Sequence, residues 1–220
     1  MKLLVISDLH YPLPYSRLYA KVIRKEKPDI VVLLGDVVVA NNSREIVEVY
    51  KRFIKEYVRV FPTKNTVFLV GDNEGRNSDY SLNRQVFNFL KGIPKLNKDL
   101  LTYSYKNLFF FHGNLESSFR QESAGRKIAK AFASLDKRIV PYLLAKAVRH
   151  KFGLKRNTIA LLGHLHYLGF SDNSVFCGTF SKEREVYPAE DSLGYAVVNI
   201  YGEQEISKKG ISLVHLASNY

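Results

Sequence analysis

The chain has 220 residues, of which 33 are lysine or arginine and 21 are acidic, giving a formal net charge of +12. This charge favours anionic partners, and the length predicts a single domain spanning residues 1–220. The one cysteine, Cys177, excludes an internal disulfide framework. No apolar run approaches the length of a signal sequence or a membrane span, so we expect a cytoplasmic protein.

Short apolar runs predict β-strands at residues 2–7, 30–34, 66–70, 108–111, 158–162, 175–180 and 195–201. Helical patterns lie between most of these runs, at residues 15–27, after the capping residue Asn42, at 81–90, at 121–140 and from Pro141 onward. Alternating strands and helices predict a layered α/β fold. Because the apolar runs are nearly continuous, the strands should be covered on both faces.

Positive charge is concentrated in residues 117–156, which hold eleven lysines and arginines but only two acidic residues. On a helical wheel of residues 121–140, Ile128, Phe132, Leu135 and Ile139 form an apolar stripe opposite a basic face. We predict a basic helical insertion here. Its charge is either a solvated face or a cap that holds an anionic substrate, such as a nucleotide, a nucleic acid or a phospholipid headgroup. Candidate substrate-binding residues are Arg120, Arg126 and Lys130.

Histidine and aspartate recur in short motifs that directly follow the predicted strands. These motifs are Asp8-Leu9-His10, Gly35-Asp36, Gly71-Asp72, Phe111-His112-Gly113 and Gly163-His164-Leu165-His166. Ligands of open α/β sheets bind beyond the carboxyl ends of the strands, and carboxylate and imidazole ligands suit hard or borderline divalent cations. A Gly-Asp pair before a helix is often only a helix cap, but caps do not explain four histidines. The motifs therefore predict a metal centre.

The order of these motifs resembles the calcineurin-like metallophosphoesterase superfamily, from about residue 3 to about residue 180. The resemblance implies a four-layer αββα sandwich with two divalent metal ions at the strand ends. It assigns Asp8, His10 and His166 to the first metal, Asp72, His112 and His164 to the second, and Asp36 to both. A hydroxide held between the metals would attack phosphorus. Manganese is the expected metal, with iron, nickel, zinc and magnesium as alternatives.

The third motif departs from the family pattern, which is Gly-Asn-His followed by an acidic residue. Here it is Gly71-Asp72-Asn73-Glu74. Asp72 adds a negative charge, which should strengthen metal binding and weaken the attraction for an anionic substrate. Asn73 cannot act as a general acid at neutral pH, and general acids contribute about 10²–10⁴ in rate. We therefore expect acidic leaving groups.

These features predict a metal-dependent phosphoric ester hydrolase that cleaves a phosphodiester or a pyrophosphate-type bond. A phosphomonoesterase of the same family is the alternative within the enzyme class. A catalytically weak binding or scaffold protein on this fold is the alternative outside it. The candidate catalytic residues are Asp36, Asn73 and His112.

Overall fold

The structure, a computed structural model, describes residues 1–40, 45–75, 83–115, 119–181, 187–202 and 205–216, without the side chains of residues 119–126. Within these ranges the β-strands are β1 Lys2–Ile6, β2 Ile30–Leu34, β3 Thr66–Leu69, β4 Thr102–Tyr105, β5 Leu108–Phe111, β6 Ile159–Leu162, β7 Leu168–Ser171, β8 Ser174–Cys177, β9 Gly194–Asn199 and β10 Ile211–His215. The α-helices are α1 Leu18–Glu26, α2 Ile46–Tyr57, α3 Asp72–Gly75, α4 Arg84–Lys91, α5 Phe119–Leu135, α6 Ile139–Lys151 and α7 Ala189–Ser192. Three short 3₁₀ helices join them, at Pro14–Arg17, Thr63–Asn65 and Lys208–Gly210.

The strands form two sheets of five strands each. Sheet 1 has the order β10-β9-β1-β2-β3, and sheet 2 has the order β4-β5-β6-β8-β7. In sheet 1, β1, β2 and β3 run parallel, and in sheet 2, β5, β6 and β8 run parallel. The parallel strands of each sheet therefore end at a common edge, and loops that follow them can converge there.

The two sheets pack face to face and helices cover their outer faces. Along β1, Leu3 and Val5 join the core between the sheets, whereas Leu4 and Ile6 face the helices. Residues of α1, α2 and α4 complete the core on the outside of sheet 1. On the outside of sheet 2, Ala145 and Val148 of α6 pack against the sheet. This is the αββα sandwich predicted from the motifs.

The predicted parallel strands agree with the structure to within about two residues at most ends. The two helices predicted over residues 121–140 and from Pro141 are both present, but the break between them comes earlier, because α5 ends at Leu135 and α6 begins at Ile139. Asp136 breaks the helix, since its Oδ1 accepts a hydrogen bond from the backbone N–H of Arg138 at 2.8 Å. The capping residue Asn42 lies outside the described residues.

Helices α5 and α6 form a hairpin between β5 and β6, which we call the α5–α6 hairpin. Ala133 of α5 packs against the outer core of sheet 2. The apolar stripe of Ile128, Phe132 and Leu135 does not, and all three side chains are exposed. Within the described ranges, no helix combines the length and the apolar character needed to cross a bilayer.

Candidate metal centre

The side chains of the predicted metal centre stand in the turns that follow the parallel strands of both sheets. Five of the eight non-glycine residues with positive φ in the described chain are Asp8, His10, Asp36, His164 and His166. Left-handed backbone is unfavourable for such residues and is found where a structure over-determines it, often at functional sites. The sharp turns aim these side chains at the space between the two sheet edges.

The structure brings all seven sequence-predicted ligands together. Three groups have potential ligand atoms within 4.8 Å of one another: Asp8, His10 and His166; Asp72, His112 and His164; and Asp8, Asp36 and His112. The third group shares a residue with each of the other two. The geometry is thus two ligand clusters joined through Asp36 and its neighbours, which suits two adjacent cations.

The first cluster surrounds the buried carboxylate of Asp8. Its Oδ2 accepts hydrogen bonds from the hydroxyl of Ser7 and from the backbone N–H of His164, the latter at 3.0 Å. Its Oδ1 lies 3.3 Å from Nε2 of His166 and 4.0 Å from Nε2 of His10. Among the described atoms, Asp8 Oδ1 and His10 Nε2 are buried without a hydrogen-bond partner. Buried polar atoms without a partner destabilise a fold, and a bound cation would give both of these atoms a partner.

The second cluster surrounds Asp72. Its Oδ1 lies 3.0 Å from Nε2 of His112 and 3.1 Å from Nδ1 of His164. The other ring nitrogen of His112, Nδ1, lies 2.9 Å from the carbonyl oxygen of Leu34. Since a carbonyl can only accept, Nδ1 carries the proton in this contact. This orientation leaves Nε2 as the nitrogen that faces the cluster, which is how ligating histidines are usually fixed.

The charged groups of the two clusters strongly shift one another's pKa values. Burial raises the pKa of Asp8, but the positive charges of His166 and His112 outweigh burial and hold this pKa below its ordinary value. Burial lowers the pKa of His112, but the carboxylates of Asp36 and Asp8 raise it well above its ordinary value. A cation that enters the centre therefore competes with protons for His112.

Asp36 lies between the clusters and Asn73 holds it. The backbone N–H of Asn73 donates to Asp36 Oδ1 at 3.0 Å, and its side-chain amide donates to Asp36 Oδ2. Nε2 of His112 lies 3.6 Å from the same Oδ2. Asn73 thus lies within the site, where the family pattern places a histidine, and it fixes the orientation of the central carboxylate.

Two glycines make room for the central side chains. A Cβ at Gly71 would lie 2.0 Å from Asp36 Oδ1. A Cβ at Gly35, whose φ is +92°, would lie 2.6 Å from Nδ1 of His112. No side chain fits at either position without moving a ligand, so close packing requires both glycines, and the backbone conformation also requires Gly35.

The structure adds Glu74 and Ser7, for which no role was predicted. Glu74 is completely buried; its Oε2 accepts from the backbone N–H of Val38 at 3.0 Å and its Oε1 accepts from the hydroxyl of Tyr50 at 2.9 Å. Burial, and then the charge of Asp36, raise the pKa of Glu74 to about 8. Glu74 ties the loop after β2 to α2, and its place in the third motif was the only signal for it.

No contact in the described part of the structure joins the predicted substrate-binding residues to the centre. Arg120 and Arg126 lie on α5, and their side chains are outside the described part of the structure. Lys130 is exposed on the same helix. Among the described contacts, none links Lys130 to a ligand residue, so these three assignments stay predictions.

Comparison with known proteins gives a family match and a shared fold. A family model for calcineurin-like phosphoesterases matches residues 1–168, while a search of curated proteins finds no match. Among solved structures, a novel archaeal phosphodiesterase superposes with a TM-score of 0.53 and 18% identity, over 98% of this chain and 100% of that chain. The phosphoesterase Yfce from E. coli gives 0.45 and 17%, over 90% and 88%. A metallophosphoesterase from Sphaerobacter thermophilus gives 0.43 and 17%, over 90% and 84%.

Proposed function

The chain belongs to the calcineurin-like phosphoesterases, a family of metal-dependent phosphoric ester hydrolases, and we propose that it cleaves a phosphodiester or a pyrophosphate-type bond. The observation that carries this proposal is the convergence of three carboxylates and four histidines, from both sheets, into two joined clusters. Divalent cations bound there would supply an activated water and would neutralise charge on the phosphoryl oxygens.

We assign the first cation to Asp8, His10 and His166, and the second to Asp72, His112 and His164. Asp36 would contact both. The buried atoms of Asp8 and His10 that lack partners among the described residues support this assignment. Carboxylates and imidazoles suit manganese, which we propose as the native metal over iron, nickel, zinc or magnesium. Metal analysis of the purified protein tests the identity.

The chemistry of Asn73 supports a leaving group that needs no proton. Its side-chain amide donates to Asp36, and an amide has no proton to give to an alkoxide at neutral pH. Pyrophosphate and aryl phosphate leaving groups are acidic enough to depart without this help. We therefore propose an anionic phosphorylated substrate, such as a nucleotide, a nucleic acid end or a phospholipid headgroup, with a bond of this type.

Hydrolysis rates on paired substrates test the proposal. With Mn²⁺ present, bis-p-nitrophenyl phosphate should be hydrolysed faster than p-nitrophenyl phosphate, and ADP-ribose faster than AMP. Asp36→Ala, which removes the central carboxylate, gives the background rate. Faster hydrolysis of the monoesters would favour a phosphomonoesterase. Metal binding without turnover above the Asp36→Ala rate would favour a binding or scaffold protein.

We also propose that residues 1–220 form one domain and that the protein works in the cytoplasm. The family match ends at residue 168, but β8 lies inside sheet 2 and β9 lies inside sheet 1. Both sheets are therefore incomplete without the later residues. The lone Cys177 is a buried thiol, which suits a reducing compartment.

A further inference from the structure

Large apolar side chains are exposed together on the α5–α6 hairpin. Eleven large hydrophobic residues are exposed in the described chain, and five of them lie between residues 128 and 143. They are Ile128, Phe132, Leu135, Tyr142 and Leu143, with exposed fractions of 56%, 38%, 78%, 43% and 51%. Single exposed apolar residues need no explanation, but five of them on one helical hairpin point to an interaction site. We call these five residues the hairpin surface.

The hairpin surface is not a loosely packed part of the core. Ile128, Phe132 and Leu135 are spaced four and then three residues apart, so they form one stripe along α5. Ala133 lies on another side of the helix and packs against the core outside sheet 2. Among the described side chains of α5, Ala133 contacts the core of sheet 2, whereas Ile128, Phe132 and Leu135 are exposed to solvent.

Lysines without a described carboxylate partner lie on the same two helices as the hairpin surface. Lys127 and Lys130 on α5 and Lys146 on α6 are exposed. None of them forms an ion pair with a carboxylate in the described part of the chain. Nζ of Lys146 lies 4.7 Å from the ring centroid of Tyr142, so charge and apolar surface are adjacent. A helix with an apolar stripe on one face and lysines on another is typical of helices that lie in a membrane interface.

We infer that the hairpin surface docks on a bilayer of anionic phospholipids. The apolar side chains would enter the boundary between headgroups and acyl chains, while the lysines contact lipid phosphates. Nucleic acid phosphates would match the lysines but would leave Ile128, Leu135 and Leu143 in water. A second copy of the chain, docked through the same surface, would place lysines against lysines. A bilayer of anionic phospholipids satisfies both the charge and the apolar area.

Vesicle co-sedimentation tests this inference with the full chain. The protein should bind vesicles that contain phosphatidylglycerol and should bind phosphatidylcholine vesicles at least about tenfold more weakly, with binding to the former reduced by salt. Combined Ile128→Ser, Phe132→Ser and Leu135→Ser should weaken binding by about tenfold or more. The matched control replaces three exposed apolar residues elsewhere, as Leu96→Ser, Leu101→Ser and Tyr201→Ser, and should bind as the unmodified protein does.

Three results would overturn the inference. They are no binding to anionic vesicles, equal binding of the stripe variant and the unmodified protein, and conversion of a dimer to a monomer by the stripe substitutions in light scattering. Circular dichroism and phosphoester hydrolysis check that the stripe variant is folded. Asp36→Ala should bind vesicles as the unmodified protein does. A failure of the proposed catalytic function would therefore leave this inference intact, and a failure of vesicle binding would leave the proposed catalytic function intact.

Discussion

Replacing Gly71 by alanine would test whether Asp36 occupies the centre of the metal site. The added Cβ would lie 2.0 Å from Asp36 Oδ1 and 2.5 Å from the Asp36 backbone nitrogen. The carboxylate must then move by about 1 Å or more to regain van der Waals contact, whereas metal–ligand distances tolerate only about 0.2 Å. We expect Gly71→Ala to lower the free energy of unfolding by about 1–3 kcal/mol and the metal affinity by about 10–100-fold.

Two measurements separate these effects. Thermal unfolding with EDTA reports the loss of packing, about 2–4 °C for each kcal/mol in a chain of this size. Metal content after equilibrium dialysis reports the loss of affinity. Gly92→Ala is the control, because its Cβ would meet nothing closer than 3.4 Å and φ there is −78°. If Gly71→Ala binds two metals as tightly as the control, Asp36 does not lie between them and the reasoning is refuted.

Three further predictions concern the missing acid, the metal and the fold. Asn73→His should raise the rate on alkyl monoesters by about tenfold or more; an unchanged rate would show that the absent acid is not limiting. Because the pKa of His112 is raised above its ordinary value, metal affinity should fall as the pH is lowered, and binding should release protons; pH-independent calorimetric titrations would contradict this. Burial raises the pKa of Glu26, but hydrogen bonds from Lys2 and Tyr195 outweigh burial and lower it below 4.5. Glu26→Gln should therefore lower the free energy of unfolding by about 1 kcal/mol near neutral pH. This difference should vanish when urea unfolding is measured at acidic pH. A difference that does not change with pH would rule out the ion pair as its cause.

The central strands could be predicted from the sequence because both of their faces are buried. β2 and β5 have the predicted bounds, and every residue of β5 is buried. The strands that the sequence did not predict, β4, β7 and β10, all lie at sheet edges. In β4 no residue is fully buried, so its four residues carry no apolar run. A short edge strand cannot be distinguished from a loop by its composition, and only its pairing with a neighbouring strand identifies it.

The ligand residues could also be predicted, because each of them stands where a predicted strand ends. The residues that hold these ligands in position could not be predicted. The role of Glu74 depends on the backbone N–H of Val38 and on the hydroxyl of Tyr50. Tyr50 lies on α2, and only the packing of that helix on sheet 1 brings it to the site. The sequence likewise predicted the apolar stripe of α5 but could not tell which side of the helix faces the fold.

Asp72 and Asn73, the two departures in the third motif, affect the charge of the centre in a way that fits the positive charge of the chain. Asp72 gives the proposed centre a third carboxylate, so two dications and a hydroxide leave it with no net charge, whereas asparagine would leave one positive charge. Asn73 adds a donor to Asp36 but no charge. A neutral centre holds its metals firmly and attracts an anion weakly. Attraction of a phosphorylated substrate must then come from the rest of the chain, where residues 117–156 carry most of the +12. The segment that bears the hairpin surface is therefore also the main source of long-range attraction for an anionic substrate.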